Sequence, residues 1–205
     1  MTNQIQNPKR LKIILYLFIV YCLLFIVPPL AAAADFTTDY NVVYDVSETG
    51  KARVTQNITL TNHTANLYPS DYTLTIKGGK IENVSALDEL GQMKVELGRT
   101  KSESTIKVSF NKQAIGQESK VSWRLSYDVS QFAVKHGRIW EMTVPKITET
   151  PDIGSYSVTL RVPKSFGPEH FVSPQPNSTK HTETYWVYNF NQQPASPAGG
   201  STINN

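Results

Sequence analysis

The sequence predicts an all-β fold, an antiparallel β-sandwich preceded by an apolar N-terminal helix, and three observations predict it. Between Val121 and Val129, apolar Val121, Trp123, Leu125, Tyr127 and Val129 alternate with polar Ser122, Arg124, Ser126 and Asp128. Period-2 alternation puts the apolar side chains on one face of a strand, whereas a helix scatters them around its circumference. The pattern recurs along most of the chain, punctuated by turn signals, and no amphipathic helix interrupts it. Runs spaced in this way point to a sandwich of the Ig-like kind, with one buried and one wet face per strand.

The first element is residues 1–34. Lys9, Arg10 and Lys12 precede an uncharged apolar run from Ile13 to Val27, then Pro28, Pro29 and the small residues Ala31–Ala34. A basic start, an apolar middle and a small-residue end match a secretory signal peptide cleaved near Ala33 or Ala34. The run falls short of the roughly 20 apolar residues that a spanning helix needs. Counted on through Leu30 to Ala34 it reaches about that length, so an uncleaved signal-anchor, a transmembrane helix, is the alternative. In both cases the basic cluster stays inside and the body lies outside the cytoplasm, secreted or anchored at the cell surface.

The body is expected over residues 35–190. Tyr40, Val42, Tyr44 and Val46 alternate up to the turn Ser47-Glu48-Thr49-Gly50, and Ala52, Val54, Ile58 and Leu60 alternate after it, which predicts a hairpin. Threonines 55, 59 and 61 on the opposite phase suit a pleated surface because their Cβ is branched. Asn62 to Asn66 reads as a loop, and Tyr72, Leu74 and Ile76 as a strand closed by Gly78-Gly79. Ile81–Ala86 is a weaker strand, Asp88 to Gly91 turns, and Met93, Val95 and Leu97 alternate after it. Ile106, Val108 and Phe110 follow, then the Val121–Val129 strand. Ala133 to Arg138 reads as a link to a strand carrying Trp140, Met142 and Val144. Tyr156, Val158, Leu160 and Val162 make a strand stopped by Pro163, and Trp186, Tyr188 and Phe190 share one phase in the last. Residues 191–205, rich in Gln, Pro, Ser, Gly and Asn, read as a flexible tail or linker.

Composition narrows the function. The net charge of the 205-residue chain is +3, but Lys9, Arg10 and Lys12 account for all of it, and the remaining body is neutral with its signs interspersed. That body has no electrostatic footprint for nucleic acid, so no nucleic-acid partner is expected. The only cysteine is Cys22, in the N-terminal run. The body therefore has no disulfide, no thiolate nucleophile and no cysteine metal site.

No residue pattern carries catalysis, a cofactor or a metal. His63, His136, His170 and His181 are far apart in loop-like sequence, with no Gly-x-Ser-x-Gly elbow and no His-Glu-x-x-His. Asp88 with Glu89, or Asp45 with Glu48, offers too few carboxylates for calcium, which takes about six to eight oxygens. Gly78-Gly79 is followed by no helix and is not a phosphate loop. Tyr185-Trp186-Val187-Tyr188 reads as core or sheet edge; its other reading, a sugar-stacking platform, requires Trp186 and Tyr188 exposed and coplanar. Asn57, Asn62, Asn83 and Asn177 begin sequons of the kind that a Thr- and Asn-rich chain produces by chance.

Several phrases nevertheless carry a resemblance. Tyr44 to Asn62 (YDVSETGKARVTQNITLTN), Ile106 to Asn111 (IKVSFN), Arg138 to Pro145 (RIWEMTVP) and Tyr156 to Pro163 (YSVTLRVP) resemble the N-terminal β region of exported, membrane-anchored bacterial transglutaminase-like proteins. The resemblance covers roughly residues 35–176 and rests on packing motifs. In that family a Cys-His-Asp domain follows the β region; no position here matches its catalytic residues. The resemblance implies a non-catalytic, extracytoplasmic accessory module of a cell-surface protein. The partners expected are other cell-envelope proteins or wall polymers, and the membrane itself if the N-terminal segment is uncleaved. A carbohydrate- or cell-wall-binding adhesion module is the alternative.

Overall fold

The computed structural model describes residues 34–77, 80–144 and 152–192. The signal or anchor run, the Gly78-Gly79 turn and the tail beyond residue 192 lie outside them. Within them the chain is all-β apart from one 3-10 turn at Lys164–Phe166, and no helix is long and apolar enough to cross a membrane. The strands are β1 (Phe36–Val46), β2 (Ala52–Asn62), β3 (Asp71–Lys77), β4 (Lys80–Asp88), β5 (Gly91–Gln92), β6 (Lys94–Arg99), β7 (Glu103–Ser109), β8 (Lys120–Ser130), β9 (Ala133–His136), β10 (Ile139–Met142), β11 (Ile153–Pro163), β12 (Ser178–His181) and β13 (Tyr185–Gln192).

Eight of them form one sheet in the order β12-β13-β11-β1-β2-β8-β4-β5. The β1–β2 hairpin forms as its alternation predicts: Val46 pairs with Ala52, and Gly50 at φ 81° closes the turn by donating to the Ser47 carbonyl at 3.0 Å. A Cβ is disfavoured at that φ, hence the glycine. In β8, Val121, Trp123, Leu125 and Tyr127 are all buried. Gln56, at an inward position of β2, is buried too, and its Nε2 donates to the Tyr127 hydroxyl at 2.9 Å. That bond offsets the cost of burying an amide.

A three-stranded antiparallel sheet, β3-β7-β6, covers part of the inner face. Trp123 is the hinge of this packing, with the Tyr72 ring 5.1 Å and the Phe110 ring 5.0 Å away. The Tyr40 and Tyr72 hydroxyls meet across the same gap at 3.0 Å, and burial pushes both phenols above their usual range. Ile106 and Val108 of β7 are completely buried; each such side chain contributes roughly 1.5–3 kcal/mol.

Four features depart from the sequence expectation. The β1–β11 pair is parallel, with Tyr40 beside Tyr156 and Tyr44 beside Leu160, whereas every other pair among the described residues is antiparallel. A parallel neighbour needs a crossover connection, and the chain between β8 and β11 supplies it. Met93 does not lie in a continuous strand. β5 belongs to the large sheet and β6 to the small one, and buried Met93 is where the chain changes sheets. Ala133–Arg138 is no simple link: β9 and β10 form a hairpin around Gly137 at φ 64°. Trp140 of that hairpin stacks on Phe166, with centroids 4.0 Å apart. Finally, Asn191 and Gln192 belong to β13, so the strand runs past the expected start of the tail.

Candidate interaction surface

Antiparallel order brings the ends of β2, β4 and β7 and the starts of β3 and β8 to one end of the sandwich. Asn62 organises that end. It is completely buried, and its Nδ2 donates to the carbonyls of Leu67 at 2.6 Å and Ala114 at 2.7 Å. Its Oδ1 accepts from the Thr64 amide and the Thr64 hydroxyl, both at 2.8 Å. All four hydrogen-bonding positions of the amide are filled, so the Asn62 sequon is spent on structure. Asn111 ties the same end to the next turn, donating to Asp88 Oδ1 at 3.1 Å and to the Gln92 carbonyl at 3.4 Å, while Lys112 pairs with Glu89 at 3.1 Å.

The loops held in this way carry apolar side chains outward. Leu67, Tyr68, Leu90 and Ile115 are all more than half exposed, and Leu87 stands nearly as open at the end of β4. A cleft of about 610 Å³ lies beside Ile115, walled by Phe110, Asn111, Lys112 and Lys120.

The outer face of the large sheet is of opposite character. Strand register sets its outward side chains in rows. One row is Val187, Arg161, Asp45, Arg53, Asp128 and Glu82; the next is Asn189, Thr159, Val43, Thr55, Ser126 and Ser85. The first row is knitted by Arg161–Asp45 at 3.2 Å and Arg53–Asp128 at 2.6 Å. Asp128 also accepts from Asn83 at 2.6 Å. The face is polar, nearly charge-balanced and uncovered by the small sheet.

The chemical candidates are placed separately. His63 bonds Thr37 and Glu118, each at 2.8 Å. His136 and His181 lie in strands rather than loops: His136 is on β9, 3.7 Å from Glu141, and His181 is on β12, edge-on to Trp186. His170 is exposed. Asp88 caps its own turn by accepting from the Leu90 amide at 2.8 Å, and Asp45 is held by Arg161. Among the described residues no group of three or more His, Cys, Asp and Glu is placed to hold a metal. Tyr188 is only 5% exposed, so it cannot form a sugar platform with half-buried Trp186. Its hydroxyl instead donates to Glu169 Oε2 at 2.8 Å. Backbone hydrogen bonding first, then this hydroxyl, hold the Glu169 carboxyl below its ordinary range.

No family model and no curated protein matches the chain. Among solved structures, an M1 zinc metallopeptidase from Deinococcus radiodurans is similar at 15% identity, over 78% of this chain and 39% of that one, with a TM-score of 0.44. A putative protease from Parabacteroides distasonis is similar at 13% identity, over 85% of this chain and 39% of that one, with a TM-score of 0.43. The chain thus spans well under half the length of either structure.

Proposed function

We propose that the chain is a non-catalytic, extracytoplasmic β-sandwich module at a bacterial cell surface, an accessory domain of the transglutaminase-like kind that docks other envelope proteins. The observation that supports it most is the loop end. Asn62 and Asn111 hold three connections together, and these present Leu67, Tyr68, Leu90 and Ile115 to solvent. Fixed loops carrying apolar side chains contribute binding energy with little ordering cost. The N-terminal run of Ile13–Val27 behind a basic cluster supports export, and the phrases around Tyr44–Asn62 and Tyr156–Pro163 support the family.

Two measurements test this. An alkaline phosphatase fused after Asn205 should be active, since that enzyme needs an oxidising compartment; an inactive but intact fusion removes the export reading. A photo-crosslinking amino acid at Ile115 should capture an envelope protein in cells, and one at Arg124 on the open face should not. Equal capture at both positions removes the docking reading.

The second reading, a wall-polymer-binding module, is favoured by the open polar face. Its rows of Ser, Thr, Asn and paired charges offer donors and acceptors over several strands.

A further inference from the structure

We propose that a cleft at the β13 end of the open face binds a neutral sugar chain; the proposal deepens the wall-polymer reading and rests on it. The cleft measures about 440 Å³ and is formed by β1, β11, β13 and the β12–β13 turn. Tyr185 and Val187 alternate outward along β13 and give it an apolar wall. Thr182 sets the position of that wall. Its hydroxyl accepts from the Tyr185 amide at 2.9 Å and donates to the Tyr185 carbonyl at 3.2 Å. Beside that wall, register places Arg161 of β11 next to Val187, and Asp45 of β1 next to Arg161.

Arg161 Nη1 donates to Asp45 Oδ2 at 3.2 Å, and the two side chains are 47% and 40% exposed. One such bond leaves other guanidinium N–H groups and other carboxylate lone pairs open to the cleft. A pyranose presents an apolar C–H face and a rim of hydroxyls that both donate and accept. The tyrosine and valine suit the first, and the arginine and aspartate suit the second. The charges of Arg161 and Asp45 cancel, so an anionic sugar gains the guanidinium but meets the carboxylate, and a neutral one is preferred. The polar row does not stop at the cleft: Arg53 and Asp128 continue it across β2 and β8. That continuity favours a chain of sugars over a single one.

The test uses the full chain with three soluble probes, cellohexaose, the N-acetylglucosamine hexamer and an oligogalacturonate, followed by calorimetry, and with purified peptidoglycan sacculi followed by pull-down. At least one neutral hexamer should bind, and the acidic oligomer at least about tenfold more weakly. Tyr185→Ala should weaken the neutral probe at least about tenfold, because it removes the aromatic wall. Tyr185→Phe should bind as the parent does, which separates loss of the ring from loss of the fold. Lys101→Ser, exposed in the turn between β6 and β7, should bind as the parent does. If sacculi or a hexamer bind and Tyr185→Ala binds equally well, the cleft is not the site, although the wall-polymer reading stands. If neither sacculi nor any hexamer binds, both fail.

Discussion

Asn62 donates to the Ala114 carbonyl at 2.7 Å across 52 residues of sequence, and the same amide nitrogen donates to Leu67 at 2.6 Å. One buried side chain therefore fixes two loops. Asn62→Ala leaves two carbonyls short of a donor and should cost about 3 kcal/mol. Asn62→Asp should be worse at neutral pH, because the new carboxylate faces those two carbonyl oxygens, and should recover partly once it is protonated. Urea unfolding at pH 7 and pH 4 compares them. Equal midpoints for the two variants at both pH values would show that Asn62 fills space and nothing more.

Trp123 joins the two sheets, yet its indole Nε1 is buried without a hydrogen-bond partner among the described residues. Two effects then oppose each other in Trp123→Phe. The smaller ring loses packing, while removal of an unsatisfied donor regains about 1–3 kcal/mol. The substitution should fall within about 1 kcal/mol of the parent, whereas Trp123→Ala should cost about 3–5 kcal/mol. Denaturant unfolding of the two variants decides it: similar losses mean that the buried N–H carries no penalty here.

The contrast between β8 and β4 shows what the sequence makes legible. In β8 one face is core and the other is water, so Val121 to Val129 alternates without a break. In β4, Ile81 and Ala86 both point inward although they are an odd five positions apart. A bulge reconciles the phases: the register shifts between Glu82 and Ser85, with Asn83 at φ 52°. The extra residue breaks the alternation and makes a real strand look weak. Met93 hides a change of sheet for the opposite reason: Met93, Val95 and Leu97 keep the alternation although the chain has passed from the large sheet to the small one. β12 is exposed at every residue and has no apolar phase to read. The parallel placement of β11 beside β1 follows from the path of the connection, which no local pattern encodes. The loop-end surface was illegible because Asn62 reads as a sequon or loop residue until its four bonds are seen. The Tyr185 cleft draws on strands about 140 residues apart in sequence.

Glu169 accepts from the Tyr188 hydroxyl, and its carboxyl is held low. A lowered carboxyl stabilises the fold above its unfolded-state range, and that contribution is lost as pH falls through the lowered value. The segment carrying Glu169 should therefore loosen from β13 only in acid. Tyr188→Phe removes one of the two hydrogen-bonding causes, so the Glu169 carboxyl should titrate at higher pH in that variant. Carbon-detected NMR titration of Glu169 measures the difference. An unchanged titration would assign the lowering to the backbone alone.

Gly50 sits at φ 81° and accepts from the Ala133 amide at 2.9 Å, which anchors the β9–β10 hairpin against the first turn. A Cβ on Gly50 would collide with the Ala133 carbonyl oxygen and press on the Trp140 ring. Gly116, at φ 90°, has open space where its Cβ would be. Both Gly→Ala changes incur the left-handed backbone penalty of about 1–2 kcal/mol, but only Gly50→Ala must also push the hairpin away. It should therefore be the more destabilising of the two by at least about 1 kcal/mol, and should raise amide exchange in Ala133–Met142 while Gly116→Ala leaves it alone. Denaturant unfolding and hydrogen exchange on the two variants measure this. Matching losses, with β9–β10 equally protected in both, would mean that the close approach of Gly50 to Ala133 carries no energy and that the hairpin is held by the Trp140–Phe166 stack instead.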